Sequence, residues 1–324
     1  MKTLIYGAGP IGRWLTLKLA AAGKDVSLLA RGETREKLQR EGVCYVDAPT
    51  GERLQARIPI VAELGEQDRY DLVVVPMVKA SRLSVCPILA RNKNLENVLF
   101  VGNDVAGPDG YLTHLSREQV ILGFPGTGGG WDGDDLIISD REKPRDKGVI
   151  YIGELDGKTR DRTRRIKELF ETSGIDVSLE KDIDGWLKYH FAFIAPTTGV
   201  IYRHGLDMKS VASDRESIHQ YCRACREVGD VLREIGYVKR QPPIFNLYYW
   251  LPRWLEPRVF AKLFGSREAE VRFGLHARVV GPELIGLIEE FAALRAGTRT
   301  ETPNLDELLS HIQQPASSIG KEAV

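Results

Sequence analysis

Along the first half of the chain, apolar residues come in short unbroken runs separated by stretches of helical period. Leu4-Ile5-Tyr6, Val26-Ser27-Leu28-Leu29, and the segments 72–75 and 98–101 are such runs, with 120–122 a shorter one. Strands buried on both faces read this way. Residues 11–22 place Ile11, Leu15 and Leu19 on one helical face, and Gly23-Lys24 stops the helix. A charged helix is expected over residues 34–40, weaker strands over 43–46 and 54–61, and two added strands over 136–139 and 149–152. Strand and helix alternating at this spacing predict an α/β fold with a doubly wound parallel sheet.

Past about residue 180 the pattern changes. Residues 182–202 read as one long helix bent near Pro196 and Gly199. The segments 209–235, 283–296 and 304–313 repeat the helical period with no strand signal. The expected division is an α/β domain over 1–180, an all-helical domain over 181–313, and a flexible polar tail over 314–324.

Composition narrows the class of protein. A length of 324 residues fits two domains at about 150 residues each. With 43% hydrophobic and 28% charged residues, wholesale disorder is excluded. Lys+Arg and Asp+Glu are both 45, so no global field draws the chain to nucleic acid or to an anionic membrane. An anionic ligand must be held by a local site. Four cysteines are too few for a disulfide scaffold, and Cys222 and Cys225 form a CxxC inside a helical stretch with no second Cys/His pair nearby. They are expected as buried or half-exposed thiols of a reduced, cytoplasmic protein without a metal. No signal-peptide pattern opens the sequence, and no apolar run reaches 18 residues. The aromatic-rich segment 244–264 is interrupted by prolines and charges. Its Phe245, Tyr248, Tyr249, Trp250 and Trp254 are expected mainly as helix packing.

The strongest chemical signal is Gly7-Ala8-Gly9-Pro10-Ile11-Gly12, a GxGxxG directly after the first strand and opening the first helix. In that context the pattern is a dinucleotide-binding fingerprint. Gly7 makes the tight turn, Gly9 lets backbone approach a pyrophosphate, and Gly12 lets helix and strand pack closely. The helix N-terminus supplies free N–H groups and partial positive charge. At the end of the second strand an NAD site carries an acid for the ribose 2′-hydroxyl. This chain has Ala30-Arg31-Gly32 there. A guanidinium grips a 2′-phosphate, so NADP(H) is the expected cofactor.

Lys79 and Asn103 follow the strands 72–75 and 98–101 at their carboxyl ends, where open α/β sheets hold ligands. Lys188 lies early in the long helix that opens the second domain, ahead of Phe191-Ala192-Phe193-Ile194. It must face solvent or a cleft, and a cleft lysine is suited to donate a proton.

Taken together, GAGPIG at residue 7, Arg31, Val78-Lys79-Ala80, Gly102-Asn103 and Trp186-Leu187-Lys188 resemble the ketopantoate reductase family, in order and spacing, from residue 1 to about 313. The resemblance implies a Rossmann domain followed by a helical domain of the 6-phosphogluconate dehydrogenase type. It also implies hydride transfer from NADPH to a 2-oxo acid or similar ketone, as in a 2-dehydropantoate 2-reductase. By that likeness Lys188 is the catalytic lysine and Lys79 and Asn103 contact the cofactor. By the same likeness the glycine-rich segment 123–133, with Gly129, is a loop that passes the nicotinamide. The family's substrate asparagines, four and eight residues after the lysine, are here Ala192 and Pro196. Ketopantoate itself is therefore not the expected substrate, and His190, Thr197 and Thr198 are the polar groups left for that role. The expectation is an NADPH-dependent reductase of a small ketone or 2-oxo acid, working as monomer or homodimer, with substrate between the domains. The alternative is an NADP(H)-binding redox sensor that has lost its chemistry. An oxidative decarboxylase of the 6-phosphogluconate type is disfavoured because the second domain is too short.

Overall fold

The computed structural model describes residues 1–139, 149–266 and 275–312, the side chains of 275–282 excepted. The tail expected over 314–324 lies outside the described residues. The described chain falls into two compact units, Met1–Leu187 and Lys188–Val324.

The first unit is built on an eight-stranded sheet. Its parallel centre is β1 (Thr3–Tyr6), β2 (Val26–Leu29), β6 (Leu72–Val75), β7 (Val98–Val101) and β8 (Val120–Pro125). The order across the sheet is β12-β11-β8-β7-β6-β1-β2-β5, with β5 at Ile60–Val61, β11 at Val149–Glu154 and β12 at Asp176–Leu179. All neighbours run parallel except β11, which pairs antiparallel with β8. The unbroken apolar runs are buried on both faces. Ile5, Leu28, Val74, Leu99 and Ile121 join one core, and Leu4, Leu29, Val73, Phe100 and Leu122 join the other. That is the period-two alternation of a strand with helices above and below it.

A second sheet of four strands, in the order β4-β3-β10-β9, comprises β4 (Arg53–Ala56), β3 (Val43–Asp47), β10 (Asp135–Ile138) and β9 (Gly129–Asp132). It packs on α1 (Pro10–Ala21), whose other side lies against the large sheet. Two expectations are corrected here. The single strand over 54–61 is two strands in different sheets, because the chain leaves β4 through Arg57-Ile58-Pro59 and a proline cannot continue the ladder as donor. The glycine-rich segment 123–133 is not a loop. It is the end of β8 and a hairpin strand, β9. Side chains at Gly126 and Gly129 would collide with the carbonyl oxygens of Val149 and Ile137, so these glycines allow strands to approach. The structure also adds α3 (Lys79–Arg91), α5 (Asp161–Glu171) and β12, which periodicity does not single out.

The long helix α6 (Ile183–Arg203) begins in the first unit, where Ile183, Trp186 and Leu187 join the core. Among its described residues the second unit has no strand. It holds the rest of α6, α7 (Met208–Ser213), α8 (Arg215–Glu234), α10 (Glu256–Phe264) and the helices Leu275–Arg295 and Pro303–Ser310. The helical pattern over 209–235 is broken at Asp214. Its carboxylate accepts from the N–H groups of Glu216 and Ser217 at 3.0 and 3.2 Å and caps α8. Cys222 and Cys225 lie on the buried face of α8 as free thiols, and burial pushes both thiol pKa values up. Phe245 and Tyr248 are buried packing residues, whereas Trp250 and Trp254 are exposed. No helix among the described residues is long and apolar enough to cross a membrane.

Candidate active site

The turn between β1 and α1 is set by its glycines. Gly7 has φ +124°, and a Cβ there would meet Met77 Cγ at 2.9 Å. A Cβ on Gly12 would collide with the carbonyl oxygen of Gly7. At Gly9 nothing lies within 4 Å of the same position. Two glycines thus close the turn, and the third leaves open space at the helix N-terminus. Gly9 is the N-cap of α1, no side chain caps it, and Pro10 and Ile11 follow as the first helical residues. The free N–H groups of that first turn form an anion-binding end.

Gly7, Ala8, Gly9 and Arg31 line a cleft of about 490 Å³, within the usual size of small-molecule sites. Arg31 is the N-cap residue of α2 (Gly32–Glu41). It donates to the hydroxyl of Tyr6, with its guanidinium carbon 5.6 Å from the centre of that ring. Burial raises the Tyr6 pKa against the opposing effect of Arg31. Two further residues of this cleft escaped the sequence reading. Arg13 donates from Nε to the Ala8 carbonyl at 2.9 Å, and Trp131 of β9 lies under its guanidinium, 5.0 Å from carbon to ring centre. The bare α1 terminus, the open position at Gly9 and the two arginines fit a dinucleotide with its phosphates at the turn.

The strand ends beside the turn are organised differently. Lys79, the first residue of α3, is buried and ion-paired with Asp104, and it also donates to the Gly107 carbonyl at 3.2 Å. Asp104 in turn accepts from the Tyr111 hydroxyl at 2.7 Å and the Gly107 N–H at 2.9 Å. Burial first, and Asp104 in addition, holds the Tyr111 pKa well above the usual value. Arg82, 1% exposed, donates to the carbonyl of Asn103. Lys79, Asn103 and Gly129 do not line the cleft; Trp131, two residues along from Gly129, does. Asp104 stands next to Asn103 in sequence, and an acid at that strand end was the available signal for an ion pair with Lys79.

In the second unit Lys188 is 2% exposed, with its ammonium 4.9 Å from the centre of the Tyr237 ring. His190 is half-buried and its ring lies 6.5 Å from that of Phe193. Thr197 and Thr198 are buried, and the Thr197 hydroxyl donates back to the Phe193 carbonyl at 2.7 Å. That bond spans the turn of α6 interrupted by Pro196, which has no N–H to give the Ala192 carbonyl.

Comparison with known proteins agrees with this fold. Over 241 residues the chain is 25% identical to an uncharacterized oxidoreductase of Bacillus subtilis (strain 168), YkpB, covering 73% of this chain and 76% of that one. Among solved structures, 2-dehydropantoate 2-reductase from Geobacter metallireducens GS-15 superposes with a TM-score of 0.77 at 16% identity, covering 96% of this chain and 99% of the other. D-mandelate dehydrogenase, solved with NADH and anilino(oxo)acetate, superposes with a TM-score of 0.75 at 14% identity, covering 96% and 97%. At such identities the two superpositions establish the fold, a Rossmann-type sheet followed by a helical unit. The family model described as ketopantoate reductase PanE/ApbA matches residues 3–157, the stretch holding the glycine turn, Arg31, Lys79 and Asn103.

Proposed function

We propose that the protein is an NADPH-dependent reductase of a small ketone or 2-oxo acid other than ketopantoate. The observation that carries this is an uncapped helix N-terminus at a glycine turn, opening into a cleft that also presents Arg31. Gly7, Ala8, Gly9 and the first N–H groups of α1, followed by Pro10, Ile11 and Gly12, would hold the diphosphate. Arg31 would hold the ribose 2′-phosphate. Bound there, the cofactor supplies a hydride to a carbonyl carbon.

The rest of the chemistry falls to the chain. Lys188 polarises the carbonyl oxygen and delivers a proton to it, and its burial keeps bulk water from competing for that proton. Lys79, tied to Asp104, acts on the cofactor end through the shape of the Asn103 turn rather than as a loose cation. The polar groups around the substrate are few. Ala192 and Pro196 offer no side-chain amide, and Thr197 is engaged with its own helix. His190 and Thr198 are the other polar candidates, and so short a set favours a ketone with fewer polar groups than ketopantoate, since each buried polar group left unpaired costs about 1–3 kcal/mol. Four free cysteines support a reducing, cytoplasmic location.

The test is NADPH consumption against a panel of ketones and 2-oxo acids that includes ketopantoate. Turnover is expected on a less polar ketone, with ketopantoate a poor substrate. Lys188→Ala should lower kcat by about 10²–10⁴ and leave the Kd for NADPH unchanged. Tight NADPH binding without turnover on any carbonyl would overturn the reductase in favour of a nucleotide sensor. Efficient ketopantoate reduction would overturn only the substrate.

A further inference from the structure

We propose that Arg13 is a built-in ligand for the diphosphate of the bound dinucleotide, distinct in its task from Arg31; this rests on the cofactor site proposed above. Arg13 follows the last glycine of the turn, and its own N–H closes the first helical bond of α1, to Gly9 at 2.9 Å. Helical side chains lean toward the helix N-terminus. This one reaches back until Nε meets the Ala8 carbonyl at 2.9 Å. The guanidinium therefore sits at the mouth of α1, bordering the same cleft as Gly7 and Gly9, with the residue only 5% exposed.

That is an unfavourable place for a cation at rest. A helix N-terminus already carries about half a positive charge. The first turn of α1 holds no acidic residue and no side-chain cap to offset it. Among the described residues no carboxylate pairs with Arg13. The contrast within the same unit is Arg162, which is paired with the buried Glu154. Desolvation lowers the Arg13 pKa, as expected for a charge taken from water without a counter-charge, although Cys44 acts in the opposite direction. A guanidinium stays protonated all the same. Two positive elements converge on one opening, and an anion entering there satisfies both.

The geometry also selects the kind of anion. With Nε committed to Ala8, the two Nη groups remain as a planar pair of donors, suited to adjacent oxygens of a phosphate. The Trp131 ring holds the plane of the fork through a cation–π contact. Arg31 sits instead at the end of β2, exposed and bonded to Tyr6. Arg13 thus serves the part common to NADPH and NADH, and Arg31 the phosphate that distinguishes them.

Calorimetric titration of the full-length protein with NADPH, NADH, ADP and 2′-AMP separates these roles, using the native chain, Arg13→Gln and Arg13→Lys. Arg13→Gln should weaken NADPH, NADH and ADP alike, by tenfold or more, and leave 2′-AMP unchanged. Arg13→Lys should recover part of the loss. The melting temperature of Arg13→Gln should equal or exceed that of the native protein, because a repulsion is relieved. Loss confined to NADPH and 2′-AMP would place Arg13 on the 2′-phosphate and overturn the proposal. Unchanged affinities, or a lowered melting temperature accompanying uniform loss for all four ligands, would make Arg13 a structural partner of Trp131 and overturn it as well. An Arg13-dependent ADP and dinucleotide affinity in a protein that reduces no carbonyl would uphold Arg13 while rejecting the reductase. A native protein that binds none of the four would reject both.

Discussion

Two places along one edge of the large sheet handle positive charge in opposite ways. After β1, Arg13 and the end of α1 accumulate charge with no acid paired to them among the described residues. After β6 and β7, Lys79 is closed into a network with Asp104, Tyr111 and Gly107. Both cations are nearly buried and both belong to the first turn of a helix. A single carboxylate separates a residue available to a ligand from one already satisfied. Residue type and strand-end position, the two things a motif records, do not carry that distinction.

The comparison can be broken most sharply at Asp104. Asp104→Ala leaves Lys79 buried without its counter-charge and the Tyr111 hydroxyl without its acceptor, which should cost about 3–5 kcal/mol. Urea denaturation should show this as a lower midpoint at unchanged slope. A loss under 1 kcal/mol would mean that the pair contributes nothing the surroundings cannot replace. On the other side, Arg31→Ala should weaken NADPH about ten- to a hundredfold, the 1.5–3 kcal/mol of a charge-assisted bond, with NADH almost untouched. Equal losses for both cofactors would remove Arg31 from the 2′-phosphate.

The glycines sharpen the same contrast at smaller cost. Gly12→Ala forces a methyl against the Gly7 carbonyl and should destabilise the fold by about 1–3 kcal/mol, the range for overpacking. Gly9→Ala adds its methyl to open space, so stability should stay within about 0.5 kcal/mol. Dinucleotide affinity should nonetheless fall if that space receives a phosphate, as the proposed site requires. If Gly9→Ala melts early and binds normally, the open position is not part of the site.

The strands at the centre of the large sheet were legible because both of their faces are buried, which leaves an apolar run with no alternation to confuse. The glycine turn was legible because its neighbours on either side were a strand and a helix. What stayed hidden was set by partners distant in sequence. Asp104 finds Lys79 from 25 residues away, and Trp131 meets Arg13 from a strand of the small sheet, far along the chain. Glycine itself misled between 123 and 133, since a residue that permits a loose loop equally permits two strands to cross closely. Helix α3 carries Pro87 within it and starts on a lysine without a capping side chain, so neither its start nor its course stood out. At Asp214 the opposite holds, and a capping residue inside an apparently continuous pattern was the sign of a break.

The placing of α1 between two sheets bears on how this protein can be cut. Most of its residues, Arg13 to Leu17 among them, are covered. Trp14, Leu15 and Leu17 share one core with Val43 and Tyr45 of β3 and with Leu136 and Ile138 of β10. A nucleotide-binding fragment ending after β6 would keep the glycine turn and Arg31 but lack β10. It would leave part of the apolar cover of α1 facing water, and such a fragment should self-associate rather than serve as a free-standing binding module. The shortest soluble piece able to report on the cofactor must run through the β9–β10 hairpin, which makes the distant glycine-rich stretch a condition for handling the first twelve residues at all.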